Sequence, residues 1–121
     1  MFFKRKKDLR YPRVMYAGRE YYEVSLAAVK GLEKVRVKVS GKVSVKPIIK
    51  YYSAGFPWSL EARVEENHGH ETVFEVEGVT IVFNGVVFLR KGEEVTVYGE
   101  VRDCVVYAEA VETSDVVYVK E

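Results

Sequence analysis

The chain has 121 residues, 48% hydrophobic and 31% charged, with a net charge of +1. That length allows one domain with a modest core but not two, and the composition is that of a folded soluble chain, which excludes a disordered one. No apolar run approaches the ~20 residues of a membrane span, so no membrane span is expected.

The start, Met1-Phe2-Phe3-Lys4-Arg5-Lys6-Lys7, is basic with no apolar region behind it, which does not read as a secretory signal. A single cysteine, Cys104, excludes an internal disulfide and suits a reducing cytoplasm. Gln is absent while Lys, Glu, Val and Tyr abound, a composition like that of hyperthermophile proteins.

The charge is divided along the chain. Residues 1–60 hold 14 Lys or Arg against 4 Asp or Glu, and residues 61–121 hold 5 against 14. Cationic and anionic strands lying side by side would account for part of this, because opposite charges across a strand pair stabilise a sheet. A basic surface for an anionic polymer is the other reading. The segment from Lys4 to Arg13 fits the second better.

In chain order, residues 1–13 read as a basic arm. Residues 14–33 suit either a short helix ended by Gly31 or an extra strand, since Tyr and Val favour sheets. Val35, Val37 and Val39 alternate with polar residues in a strand over 34–46, and Pro47 is expected to stop its pairing. Residues 47–58 follow as a loop rich in aromatics. Residues 59–66 alternate again, and Asn67-His68-Gly69-His70 reads as a turn. Residues 71–83 form a strand whose parity flips at Gly78, as a bulge requires.

Asn84-Gly85, between Val82-Phe83 and Val86-Val87, is a strong hairpin signal. A short strand, a turn at Arg90-Lys91-Gly92 and a strand over 93–101 come next. Arg102-Asp103 is expected to turn into strands over 104–112 and 115–120. Six to eight strands at this spacing with little helix predict an all-β fold: a small antiparallel Greek-key barrel over 34–121, preceded by an extension over 1–33. Val35, Val37, Val39, Val95, Val97 and Ala108 should point inward. Gly41, Gly78 and Gly99 should mark bends or bulges.

One stretch resembles a known pattern. Leu89-Arg90-Lys91-Gly92 through Val101, then Tyr107-Ala108-Glu109-Ala110-Val111, after a long glycine-kinked first strand, is similar to the OB-fold over about residues 34–112. OB-folds usually carry a helix between the third and fourth strands, and here Asn84-Gly85 stands in its place. The resemblance implies a ligand face flanked by the loop joining the first two barrel strands.

Catalytic signals are weak. His68 and His70 lack the further ligands a metal site needs. Cys104 has no evident base beside it and reads as a small buried hydrophobe. No phosphate loop, nucleophile elbow or zinc motif occurs. Glu61, Glu65, Glu66, Glu71, Glu75 and Glu77 read as the wet face of two strands. Neither an enzyme nor a cofactor nor a metal is expected.

The sharpest candidate is the loop from Lys46 to Trp58, where cations interleave with rings. Aromatics give bases a stacking platform and cations follow the backbone. Single-stranded nucleic acid is therefore the expected ligand. Lys4, Arg5, Lys6, Lys7, Lys46, Lys50, Arg63 and Arg102 would meet phosphates, and Tyr51, Tyr52, Phe56 and Trp58 would meet bases. The alternative is a protein-interaction module that docks a protein partner or a second copy as a homodimer.

Overall fold

The computed structural model describes residues 10–52 and 69–120. Its strands are β1 (Arg13–Tyr16), β2 (Arg19–Glu23), β3 (Val35–Tyr52), β4 (Gly69–Val76), β5 (Val79–Asn84), β6 (Glu94–Arg102), β7 (Val105–Glu112) and β8 (Val117–Val119), with a 3-10 helix, Leu26–Gly31, before β3. β3 pairs with β4, β4 with β5, β5 with β7, β7 with β6, and β6 returns to β3. Five strands thus close on themselves in an all-β Greek-key barrel of OB-like order, the fifth barrel strand lying between the third and fourth. The barrel is not purely antiparallel as expected: β5 runs parallel to β7, and β2 runs parallel to β3.

Closure depends on β3 serving two partners. Its first half, Val35 to Lys42, pairs with β6, and from Val43 to Tyr52 it pairs with β4. Gly41 stands at the handover. A Cβ there would lie 2.7 Å from Leu26 Cδ1 and 2.9 Å from Val76 Cγ1, closer than carbon atoms pack. Pro47 does not end the strand. The register shifts between Val45 and Ile48, so Lys46 and Pro47 occupy an irregularity where proline is not asked for a ladder hydrogen bond. Residues 47–52 are therefore strand and not loop.

The alternating valines do what their pattern predicts. Val35, Val37, Val39, Val95, Val97 and Ala108 are all buried, around Phe74, Ile81 and Phe83. Burying each large apolar side chain contributes roughly 1.5–3 kcal/mol of transfer free energy. Opposite charges do sit across strand pairs: Arg36 faces Glu100 and Lys42 faces Glu94 between β3 and β6. Part of the charge asymmetry along the chain is thereby absorbed within the sheet.

The turns differ from expectation in position. Val76 pairs with Val79, so Glu77-Gly78 is a two-residue hairpin and not a bulge, with φ of 47° and 92°. Two positive φ values define the turn that matches strand twist, and glycine takes the second without strain. Arg102 pairs with Val105, which moves the next turn to Asp103-Cys104, at φ of 52° and 65°. Cys104 is exposed there, not a buried hydrophobe. Asn84-Gly85 ends β5 without a hairpin: Gly85 N–H donates to the His70 carbonyl at 2.9 Å, and no strand follows before β6. Gly69 and His70, expected in a turn, open β4.

Residues 14–33 hold both alternatives. β1 and β2 form a hairpin, and the 3-10 helix follows, sending fully buried Val29 into the core. The segment between β5 and β6 carries no helix. The hairpin also roofs a second small cluster outside the barrel, in which Tyr21, Tyr98 and Ala110 are buried and Val14 and Tyr16 pack alongside. Tyr16 and Tyr98 stack with ring centroids 3.9 Å apart, and Tyr21 meets Tyr98 edge-on at 5.3 Å.

Candidate functional site

The site begins with a break in a ladder. Gly99 pairs with Ala108, but the neighbouring Tyr98 pairs with Ala110. Glu109 is the extra residue, and a bulge of this kind re-aims side chains. Both Glu109 and Ala110 consequently face the N-terminal hairpin, Ala110 against Tyr21 and Tyr98. Gly99 makes the bulge feasible, because a Cβ there would press on the Tyr107 carbonyl and lie 2.8 Å from Ala108 Cα.

Glu109 becomes the hub of a polar network. The Tyr21 hydroxyl donates to its Oε1 at 2.5 Å. Arg19 Nη1 and Arg36 Nε approach its Oε2 at 3.1 Å and 3.5 Å. Burial alone would raise the Glu109 carboxyl, but the Tyr21 hydrogen bond and the charges of Arg36, Arg19 and Lys120 outweigh it and hold the group below its usual value. Tyr21 is pushed the other way, up to about 12, first by burial and then by Glu109.

This shift has a sign that can be checked. Tyr21 holds its proton more tightly folded than unfolded, so its contribution is full below pH 10 and disappears as pH rises from 10 towards 12. At about 1.4 kcal/mol per pKa unit, the wild-type chain should lose roughly 2 kcal/mol more than Tyr21→Phe over that interval. Urea midpoints measured at both pH values check this; parallel losses would refute it.

Beside the network runs a groove of about 570 Å³ on the outside of the barrel. Its cations are Arg19, Arg36, Arg102 and Lys120, its carboxylates Glu71, Glu100 and Glu109, and Val82, Asn84 and Tyr107 line the rest. Sheet register explains the convergence. Ile48 faces Val73, Val73 faces Val82, Val82 faces Tyr107, Tyr107 faces Glu100 and Glu100 faces Arg36. Partners in register share a face of the sheet, so one outward row crosses the barrel, apolar at one end and charged at the other. The Arg102 guanidinium lies over the Tyr107 ring, 4.5 Å from its centroid, and also meets Glu100 at 3.5 Å.

Of the residues predicted from sequence, Arg102 lies in this groove. Lys46 is exposed on β3. Lys50, Tyr51 and Tyr52 belong to β3 and not to a loop, Lys50 in register with Glu71. Lys4, Arg5, Lys6, Lys7, Phe56, Trp58 and Arg63 lie outside the described residues. Sequence reasoning missed Arg19, Arg36, Tyr107, Glu109 and Lys120 as a group. An available signal was the polar run Tyr107 and Glu109 beside Arg102, within the very stretch that carries the OB-like pattern.

Among the described residues, no three His, Cys, Asp or Glu side chains are placed to hold a metal ion, and no helix is long and apolar enough to cross a membrane. Comparisons with protein-family models, with curated proteins and with solved structures gave no match. Fold and groove together define a small all-β barrel with an OB-like strand order and an outer groove of mixed charge around Tyr107.

Proposed function

We propose that the chain is a non-enzymatic binding module that holds single-stranded nucleic acid in the groove beside Tyr107. The observation that carries this reading is the Arg102–Tyr107 cation–π contact with Arg19, Arg36 and Lys120 around the same depression. Bases stack on aromatic rings and on arginine planes alike. The surrounding cations then meet phosphates without reading sequence. Three groove residues, Glu71, Val82 and Asn84, come from the second and third barrel strands, whose face OB-folds use for oligonucleotides. A reducing cytoplasm suits the exposed Cys104 thiol.

A protein partner is the second reading. Phe88 is 70% exposed and lines a depression with Val116, and Val117 and Val119 of the short strand β8 are exposed as well.

Anisotropy titrations with a labelled single-stranded homopolymer at several salt concentrations decide between them. Affinity should fall with salt at a slope of about −0.7 per phosphate neutralised. Tyr107→Ala should weaken binding by roughly 1–3 kcal/mol with little change of slope, as the loss of a stack does. No binding at low salt would reject the nucleic-acid reading and put the protein partner first.

A further inference from the structure

We propose that Arg19 and Arg36 form a phosphate clamp whose geometry is set by Glu109, so that this carboxylate, though negative, strengthens the binding of a polyanion. The inference rests on the nucleic-acid reading above and assigns its phosphate seat.

Two roles for Glu109 compete. As a plain negative charge in the groove, it would repel phosphate and keep two arginines occupied. As a positioning residue, it would hold them where phosphate can reach them. The contacts favour the second. Glu109 uses one oxygen for the Tyr21 hydroxyl and the other for both arginines. Charge-assisted hydrogen bonds like those from Tyr21 and Arg19 are about twice as strong as neutral ones, the Arg36 contact is an ion pair, and the Glu109 side chain is only 16% exposed. A phosphate arriving from solvent will not displace it easily.

The arginines have capacity left. A guanidinium carries five N–H donors. Arg19 meets Glu109 through Nη1 and Arg36 through Nε, and their side chains remain 52% and 42% exposed. Both line the groove together with Lys120, and the Lys120 backbone N–H donates to the Glu109 carbonyl at 3.0 Å. The cations also come from different parts of the chain. Arg19 is on the N-terminal hairpin and Arg36 on the first barrel strand, and a carboxylate on the bulge of β7 joins them. Without it the hairpin keeps its aromatic packing against Tyr98 but loses the tie that points Arg19 at the barrel. Pre-ordering both side chains removes an entropic cost that phosphate binding would otherwise bear.

The test turns on the sign of an effect. Glu109→Gln and Glu71→Gln each remove one negative charge from the same groove. The protein is titrated with the single-stranded homopolymer at fixed low salt, each variant being first confirmed folded by its thermal melt. Glu71→Gln should tighten binding a few-fold, as loss of repulsion does. Glu109→Gln should weaken it by about tenfold, and in titrations repeated at several salt concentrations Arg19→Ala and Arg36→Ala should each lower the salt slope by about 0.7. Tyr21→Phe changes neither charge nor ring packing, so it serves if Glu109→Gln fails to fold, and it should also weaken binding a few-fold. Tighter binding by Glu109→Gln, or unchanged binding by Tyr21→Phe, overturns the clamp while leaving the nucleic-acid reading intact. Absence of binding by the wild-type chain defeats both.

Discussion

A valine at position 99 is expected to cost the barrel at least about 3 kcal/mol, at the upper end of what overpacking does. The new Cβ would press on the Tyr107 carbonyl and on Ala108 Cα across the strand pair. These are backbone atoms of the paired strand, with no rotamer that relieves the clash. The only escape is to part β6 from β7 at the bulge, which also dismantles the seat of Glu109. Gly41→Val should cost less, because two of the groups it meets are the ends of the Leu26 and Glu77 side chains, which can turn aside, and only Val76 Cγ1 is held. Thr96→Val is the control: Thr96 is half-buried on the outer side and shares one exposed hydroxyl contact with Ser40 at 3.0 Å, so about 1 kcal/mol or less is expected. Thermal melts rank the three. A Gly99→Val melt close to that of Thr96→Val would refute the close approach.

The second large effect is expected at Thr72, the one fully buried polar side chain among the described residues. Its hydroxyl donates to the Gly85 carbonyl at 2.6 Å and accepts from the Val87 N–H at 3.2 Å. Both groups belong to the irregular segment after β5, which has no ladder to satisfy them. Thr72→Val keeps the shape and removes the hydroxyl, so it leaves a part-buried acceptor and a buried donor unpaired. At about 1–3 kcal/mol for each such group, a total loss of roughly 2–4 kcal/mol is expected, read from denaturant midpoints. Thr80→Val, on the outer side of β5, should change little. Equal losses at the two positions would show that the hydroxyl is not what holds the segment.

Thr72 also illustrates what could and could not be read from the sequence. The alternation of Val35, Val37 and Val39, and of Val95 and Val97, was legible because strand period and burial coincide there. The barrel followed from those strands and from the pattern running from Leu89 to Val111. Pro47 misled because proline stops an ordinary ladder, and only the register shift beside it shows how β3 continues. Asn84-Gly85 misled because its turn chemistry suits a hairpin, while the outcome was decided by Gly85 and Val87 binding back to His70 and Thr72. The groove was the least legible part. Tyr21 and Glu109 lie 88 residues apart, and Tyr107-Ala108-Glu109-Ala110 reads as plain alternation, so nothing local announces that Glu109 is the extra residue in a bulge.

The double use of β3 has a consequence for how the chain reaches this structure. The hairpins β4–β5 and β6–β7 close through two-residue turns and can form within microseconds. The pairings that shut the barrel are remote: Val35 must find Val101, and Thr80 must find Val105 in parallel. Chain entropy is lost before either contact returns anything, and topologies dominated by such pairings fold in milliseconds to seconds. Until β6 arrives, the first half of β3 has an open edge, with Val35, Val37 and Val39 uncovered. Nascent chains in that interval are the ones exposed to association, and crowding or heat during synthesis acts on them rather than on the closed barrel.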